Sequence, residues 1–175
     1  MKEVRIYTDG ACSGNQNDNN IGGWGAILEY GQYSKELHGG EVNTTNNRME
    51  LMALIEALSA LKEKGLSIKI YADSSYLINC FKEKWYVKWQ MNGWKTSSKA
   101  AVENKELWQK LIELMEDQEI QFYLVKGHVK ESTLKSAYMK YIDHNGMISL
   151  EDFQYISAKN NRADELANVF IKENA

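Results

Sequence analysis

Apolar and polar positions alternate through Val4, Ile6 and Thr8 until Asp9-Gly10 breaks the run, which predicts a strand closed by Asp9. Residues 22–30 and 33–41 flank the short Gly31-Gln32 connection and predict a hairpin. The period then changes. Met49, Met52, Ala53, Leu54, Leu58 and Leu61 form one broad stripe on a helix over 45–62, with N-cap candidates in Thr44-Thr45-Asn46-Asn47. Residues 67–73 predict a fourth strand closed by Asp73, 75–90 and 103–116 predict helices, and 120–126 a fifth strand. A last helix is expected from near Asn160 to the C-terminus.

Three meandering strands followed by helix, strand, helices, strand and helix predict an α/β fold. Its form is a five-stranded mixed sheet flanked by helices, in one domain over residues 1–175. The chain has no proline, which leaves turns to Gly and Asn. Residues 129–159 stand apart as an insertion, because a short loop would suffice between the fifth strand and the last helix. Within it Leu134, Ala137, Tyr138, Tyr141 and Ile142 share a helix face, and Asp143-His144-Asn145-Gly146 reads as a turn. Ser149 with Asp152 three residues on reads as an N-cap, so a helical hairpin is expected. An EF-hand-like spacing over 141–152 is set aside, because Tyr141 stands where the first acidic ligand belongs.

Composition narrows the class. Hydrophobic residues make up 43% and charged residues 26%, as in ordinary globular proteins. No run of about 18 apolar residues exists to span a membrane, and the N-terminus carries no apolar signal region. Two cysteines, Cys12 and Cys80, fit free thiols in a reducing compartment, so a cytoplasmic protein is expected; it is taken as a monomer, although the sequence does not reveal oligomeric state. The net charge of −3 does not mark a nucleic-acid binder. Residues 82–99 nevertheless hold Lys82, Lys84, Lys88, Lys95 and Lys99 against Glu83 alone, with Trp85, Trp89 and Trp94 among them. Lysines neutralise phosphates and flat rings pack on sugars, so this segment is a candidate nucleic-acid surface.

Four acids draw the eye next. Asp9 and Asp73 close two strands, while Glu50 and Asp164 are expected in the first turns of two helices. Strand ends and helix starts are where open α/β sheets gather ligands. Carboxylate oxygens suit Mg²⁺, and four of them in close quarters repel one another unless cations neutralise them. Helix N-termini attract acids on their own account, so Asp9 and Asp73 carry the argument more than Glu50 and Asp164 do.

Seven segments resemble, in order, the successive motifs of type 1 ribonucleases H. They are Asp9-Gly-Ala-Cys-Ser-Gly-Asn15, Gly22-Gly-Trp-Gly-Ala-Ile-Leu, Thr44-Thr-Asn-Asn-Arg-Met-Glu50-Leu-Met-Ala, Ala72-Asp73-Ser-Ser-Tyr, Asn92-Gly-Trp-Lys-Thr96, Val125-Lys-Gly-His128 and Asn161-Arg-Ala-Asp164-Glu-Leu-Ala. Together they span nearly the whole chain apart from 129–159. The resemblance implies a ribonuclease H-like fold and hydrolysis of the RNA strand of an RNA–DNA hybrid, leaving 5′-phosphate and 3′-hydroxyl ends. It implies two Mg²⁺ ions, with Mn²⁺ as a substitute, bound by Asp9, Glu50, Asp73 and Asp164. Asp9 would bridge both ions, Asp164 would complete one site, and Glu50 with Asp73 the other. His128, of the residue type that exchanges protons near neutrality, would shuttle protons or displace product.

The same resemblance assigns Asn15, Asn46 and Asn47 to the RNA strand, where an amide can test for the 2′-hydroxyl. It assigns Trp85, Trp89 and Ser97 to a DNA-strand channel, and Thr45 with Asn104 to a pocket gripping a DNA phosphate. Trp94 reads as a core residue beneath the loop, and His38 and His144 as solvated side chains. Three departures stand out: the loop 16–21, Asn43 in place of an arginine common in the family, and the 129–159 insertion, which separates His128 from Asp164 and could dock an unknown partner. Two other classes stay open: a hybrid-binding module without turnover, and a DNA strand-transfer enzyme on the same fold. The latter carry two aspartates and then a glutamate, whereas the order here is Asp, Glu, Asp, Asp.

Overall fold

The computed structural model describes residues 2–14, 20–96 and 98–175. Five strands, β1 (Glu3–Ser13), β2 (Ile21–Tyr30), β3 (Tyr33–Val42), β4 (Ser67–Ala72) and β5 (Glu119–Leu124), form one sheet in the order β3-β2-β1-β4-β5. β1–β2 and β2–β3 pair antiparallel, and β1–β4 and β4–β5 pair parallel. The helices are α1 (Asn46–Ser59), α2 (Ser75–Lys82), α3 (Trp85–Met91), α4 (Lys105–Met115), α5 (Leu134–Asn145), α6 (Leu150–Ala167) and α7 (Val169–Asn174). The expected five-stranded mixed sheet with an extra helical hairpin is what forms.

Alternation along the strands divides the core into two layers. Val4, Ile6, Ala26, Leu28, Ile68 and Ile70 pack on one side against α1, α2 and α4, around the buried Trp108 and Phe81. Tyr7, Ile27, Tyr71 and Val125 face the other side and meet Tyr141 of α5 and Phe153, Ile156 and Leu166 of α6. Each fully buried Ile or Leu contributes about 1.5–3 kcal/mol. On that second face Tyr7, Tyr71 and Tyr123 stack across three strands, with ring centroids 5.2 and 5.0 Å apart. Arg5 lies 5.7 Å from the Tyr71 ring and donates to Asp152 of α6 at 3.0 Å.

Several boundaries differ from expectation. Asp9 does not close β1, which continues to Ser13 because Gly10, Ala11 and Cys12 pair with Trp24, Gly23 and Gly22 of β2. What ends beside Asp9 is the pairing with β4. The single helix expected over 75–90 is two helices, because Lys84 takes a left-handed φ of 56° between α2 and α3. The helix expected from Asn160 instead begins at Leu150 and ends at Ala167, with a separate α7 after it. The second arm of the hairpin and the final helix are therefore one rod of 18 residues, with Ser149 capping the Asp152 amide as the sequence suggested.

Of the expected turn Asp143-His144-Asn145-Gly146, the first three residues are still helical and the chain leaves the helix only at Gly146. α5 runs through Asn145 and stops at Gly146, whose φ of 100° suits glycine. Asn145 earns its place by tertiary contact. Its amide donates to the Leu124 carbonyl at 2.8 Å and accepts from the Leu124 amide at 3.0 Å, sealing the open edge of β5 as a strand would.

Close approach of α6 to β2 requires glycine. A Cβ on Gly25 would lie 2.4 Å from the Ala163 carbonyl oxygen and 2.6 Å from the Leu166 Cβ. Overpacking of this kind costs about 1–3 kcal/mol. Gly25→Ala is therefore expected to lower the melting temperature by roughly 2–12 °C for a chain of this size, measured by circular dichroism; an unchanged midpoint would show that α6 is not held against β2 there.

Candidate active site

The last parallel pair of β1 and β4 is Thr8 with Ala72, so Asp9 and Asp73 follow as neighbours at the same end of the sheet. By alternation both lie on the face that bears Tyr7 and Tyr71. Glu50 reaches the same point from α1, which comes so close to β1 that a Cβ on Gly10 would sit 2.6 Å from the Glu50 amide nitrogen. Asp164 arrives from α6. Neither of these two acids is in a first helical turn: the cap of α1 is Thr45, its first turn holds no acid, and Glu50 follows that turn. Asp164 lies close to the C-terminal end of α6. A helix C-terminus disfavours a carboxylate, so helix-end preference does not account for Asp164.

The four acids press on one another. Burial, and then Asp164 beside it, push Asp9 up to about 8, with the Gly10 amide only partly opposing this. Burial and then the Asp9 charge hold Glu50 well above the usual carboxylate range. Burial also raises Asp73, against the lowering influence of the Gly127 amide, Lys126 and His128. Glu50 is 4% exposed, and among the described residues its Oε2 atom has no hydrogen-bond partner. An orphaned buried carboxylate oxygen in a cluster of raised carboxyls fits a site for hard divalent cations. Among the described residues no group of three or more His, Cys, Asp or Glu side chains is placed, as the side chains stand, to hold a metal ion. Mg²⁺ is commonly held through one or two carboxylates with waters and phosphate oxygens, which does not need such a group.

His128 closes the mouth. The expected sequence separation from Asp164 is bridged in space: its Nε2 lies 3.2 Å from Asp164 Oδ2, and the ring is 74% exposed. Its backbone is left-handed, with φ 58°, and its amide donates to the Asn161 side chain at 2.9 Å. The preceding Gly127 amide donates to Asp73 Oδ2 at 3.3 Å. The sequence marks Asn160 as an expected helix start and Asn161 as the opening of the motif that holds Asp164, but assigns neither a part in the site.

The remaining candidates fall into three places. Asn46 and Asn47 open α1 beside this cluster, Asn46 exposed and Asn47 half-buried, and Thr45 rather than either of them caps the helix. Thr45 and Asn104 each precede a helix, α1 and α4, which Arg48 ties together through Glu106 at 3.0 Å. Asn43, which stands where an arginine is common in the family, has φ 54°, a left-handed conformation that Asn tolerates well. Trp85 and Trp89 are half-buried on or beside α3, and Trp89 meets the core edge-on at Trp108, with centroids 5.2 Å apart. Trp94 is likewise half-buried against that core. Asn15, Ser97 and the 16–19 part of the departing loop lie outside the described residues. Both cysteines are free, Cys12 half-buried and Cys80 buried.

The raised acids imply a pH dependence of the cation-free fold. A carboxyl whose folded pKa exceeds its unfolded value stabilises the fold while protonated, and that contribution is lost as pH rises through the folded value. For Asp9 the loss runs from about 4 to about 8. In EDTA the melting temperature is expected to fall across that window, and Asp9→Asn to flatten the fall by several degrees. Equal slopes for the two proteins would contradict this placement of Asp9.

Known proteins match this chain closely. The family model described as RNase H covers residues 1–171. The curated "Ribonuclease H" of Acetivibrio thermocellus is 47% identical over 175 residues, covering 100% of this chain and 99% of that protein. The one of Clostridium botulinum is 45% identical over 173 residues, covering 99% and 98%. The one of Syntrophomonas wolfei is 53% identical over 128 residues, covering 73% of this chain and 86% of that protein. Among solved structures, LC9-RNase H1, described as a type 1 RNase H with the type 2 active-site motif, superposes with a TM-score of 0.65 at 25% identity, covering 92% of this chain and 85% of that one. LC11-RNase H1, solved with an RNA/DNA hybrid, shares the fold at a TM-score of 0.62 and 21% identity, covering 97% of both chains. Matched along nearly its whole length in both sequence and fold, this chain belongs to the ribonuclease H family of phosphodiester hydrolases.

Proposed function

We propose that the enzyme hydrolyses the RNA strand of RNA–DNA hybrids endonucleolytically, leaving 5′-phosphate and 3′-hydroxyl ends. The observation that carries the reading is the meeting of Asp9, Glu50, Asp73 and Asp164, from four separate elements, in a cluster where burial first and then the neighbouring acids raise Asp9 and Glu50, and partial burial raises Asp73. Asp9 would hold two divalent cations, sharing one with Asp164 and the other with Glu50 and Asp73. Bound there, the cations, Mg²⁺ or in its place Mn²⁺, supply charge that lowers the pKa of an attacking water and stabilises the leaving 3′-oxygen.

The chain's own residues do the rest. Asp9, Glu50 and Asp73 are held by the sheet and by α1 before substrate arrives, so little reorganisation accompanies the reaction. The exposed His128 ring, beside Asp164, accepts or returns a proton at Nε2 and helps product leave. Asn46 and Asn47, with Asn15, would test the 2′-hydroxyls of the RNA strand. Trp85, Trp89 and Ser97, among exposed Lys82, Lys84 and Lys88, would take the DNA strand. Thr45 and Asn104 at two helix N-termini would hold a DNA phosphate, because the Arg48 charge is already spent on Glu41 and Glu106. No described helix is long and apolar enough to cross a membrane, and we place the enzyme in the cytoplasm as a monomer.

Asp73→Asn tests the assignment. With Mg²⁺ and a labelled hybrid, cleavage is expected to fall by at least roughly 10²–10³ while hybrid retention on a gel stays within about twofold. EDTA should abolish cleavage, and RNA–RNA and DNA–DNA duplexes should remain uncut. A near wild-type rate for Asp73→Asn would refute the role given to that acid, and retention without turnover by the unaltered protein would mark a binding module.

A further inference from the structure

The loop that carries His128 touches α6 at an acceptor that the four-acid chemistry does not use. Asn161 Oδ1 accepts the His128 amide at 2.9 Å. His128 itself stands at φ 58°, a region that side-chain-bearing residues seldom occupy. One residue earlier the Gly127 amide donates to Asp73 at 3.3 Å. A Cβ on Gly127 would lie 3.4 Å from Asp73 Oδ2, 3.6 Å from the Asn160 amide nitrogen and 3.9 Å from Asn161 Oδ1, so the loop lies flat across these three side chains. Asn160 is 2% exposed.

We infer that Asn161 is a positioning residue, whose side-chain oxygen holds the His128 backbone in its left-handed turn and so sets the imidazole beside Asp164. The inference rests on the part proposed above for His128. Asn161 and Asp164 lie three residues apart on one helix, hence on neighbouring positions of one face. One rigid rod therefore presents both the acid and the clamp for the imidazole that meets it. Without the acceptor, the His128 amide loses its partner and the backbone relaxes toward negative φ, which swings the ring away from Asp164. Because α6 begins at Leu150, inside the 129–159 segment, the packing of Phe153 and Ile156 under the sheet fixes the clamp as well as the acid.

Four proteins test this: Asn161→Ala, Asn161→Asp, His128→Ala and the Asn161→Ala/His128→Ala double variant, assayed on an RNA–DNA hybrid with Mg²⁺. Loss of one such hydrogen bond predicts a roughly three- to tenfold fall in kcat for Asn161→Ala with KM within about twofold. Asn161→Asp keeps an acceptor oxygen and should recover most of kcat. In the His128→Ala background, Asn161→Ala should add nothing. Hydrogen exchange gives a readout apart from activity: the His128 amide should exchange faster in Asn161→Ala while α6 stays protected. Wild-type kcat in Asn161→Ala, or the same loss with and without His128, overturns the inference alone. A silent His128→Ala overturns both the part given to His128 and this inference with it.

Discussion

Crowding of four carboxylates, with Glu50 buried, Asp9 and Asp164 half-buried and Asp73 at the exposed mouth, is the constraint on which the site depends. The parallel register of β1 and β4 leaves Asp9 and Asp73 side by side, where neither strand can move without breaking the pairing of Thr8 with Ala72. α1 adds Glu50 over the glycine at position 10, and α6 adds Asp164 from a helix end whose dipole offers no help. Burial then raises Asp9, Glu50 and Asp73. Such a cluster stores unfavourable charge that only protons or cations relieve. The fold's stability is set elsewhere, in the two apolar layers, and is drawn on to hold the acids together.

Much of this was legible in the sequence because strands declare themselves by period. The succession of strands and helices along the chain, the hairpin at Gly31-Gln32, the cap at Ser149 and the four acids could be read from spacing or from ordered motifs. What could not be read was decided by contacts between distant segments. β1 looked finished at Asp9-Gly10 because glycine weakens a strand, yet here its missing side chain lets α1 approach while β2 continues the ladder. Asn160-Asn161 looked like a helix start because asparagine prefers caps to helix interiors. In the structure the helix has already run through them, with Asn161 spending its side chain on the His128 amide.

The segment 129–159 is less separate than the sequence suggested. α5 seals the edge of β5 through Asn145, and the first half of α6 covers the tyrosine ladder and pairs Asp152 with Arg5. The Acetivibrio thermocellus protein aligns over all 175 residues, so the 129–159 segment has a counterpart in its sequence. The length of α6 sets the packing beneath Asp164, which makes the segment part of the scaffold of the site.

The most direct measurement is anomalous diffraction from crystals of the protein grown with an RNA–DNA hybrid and Mn²⁺. The account predicts two peaks flanking Asp9, one shared with Asp164 and the other with Glu50 and Asp73, both against the same phosphate of the RNA strand. A hybrid seated in the site with no peak in coordination distance of Asp9 would contradict it.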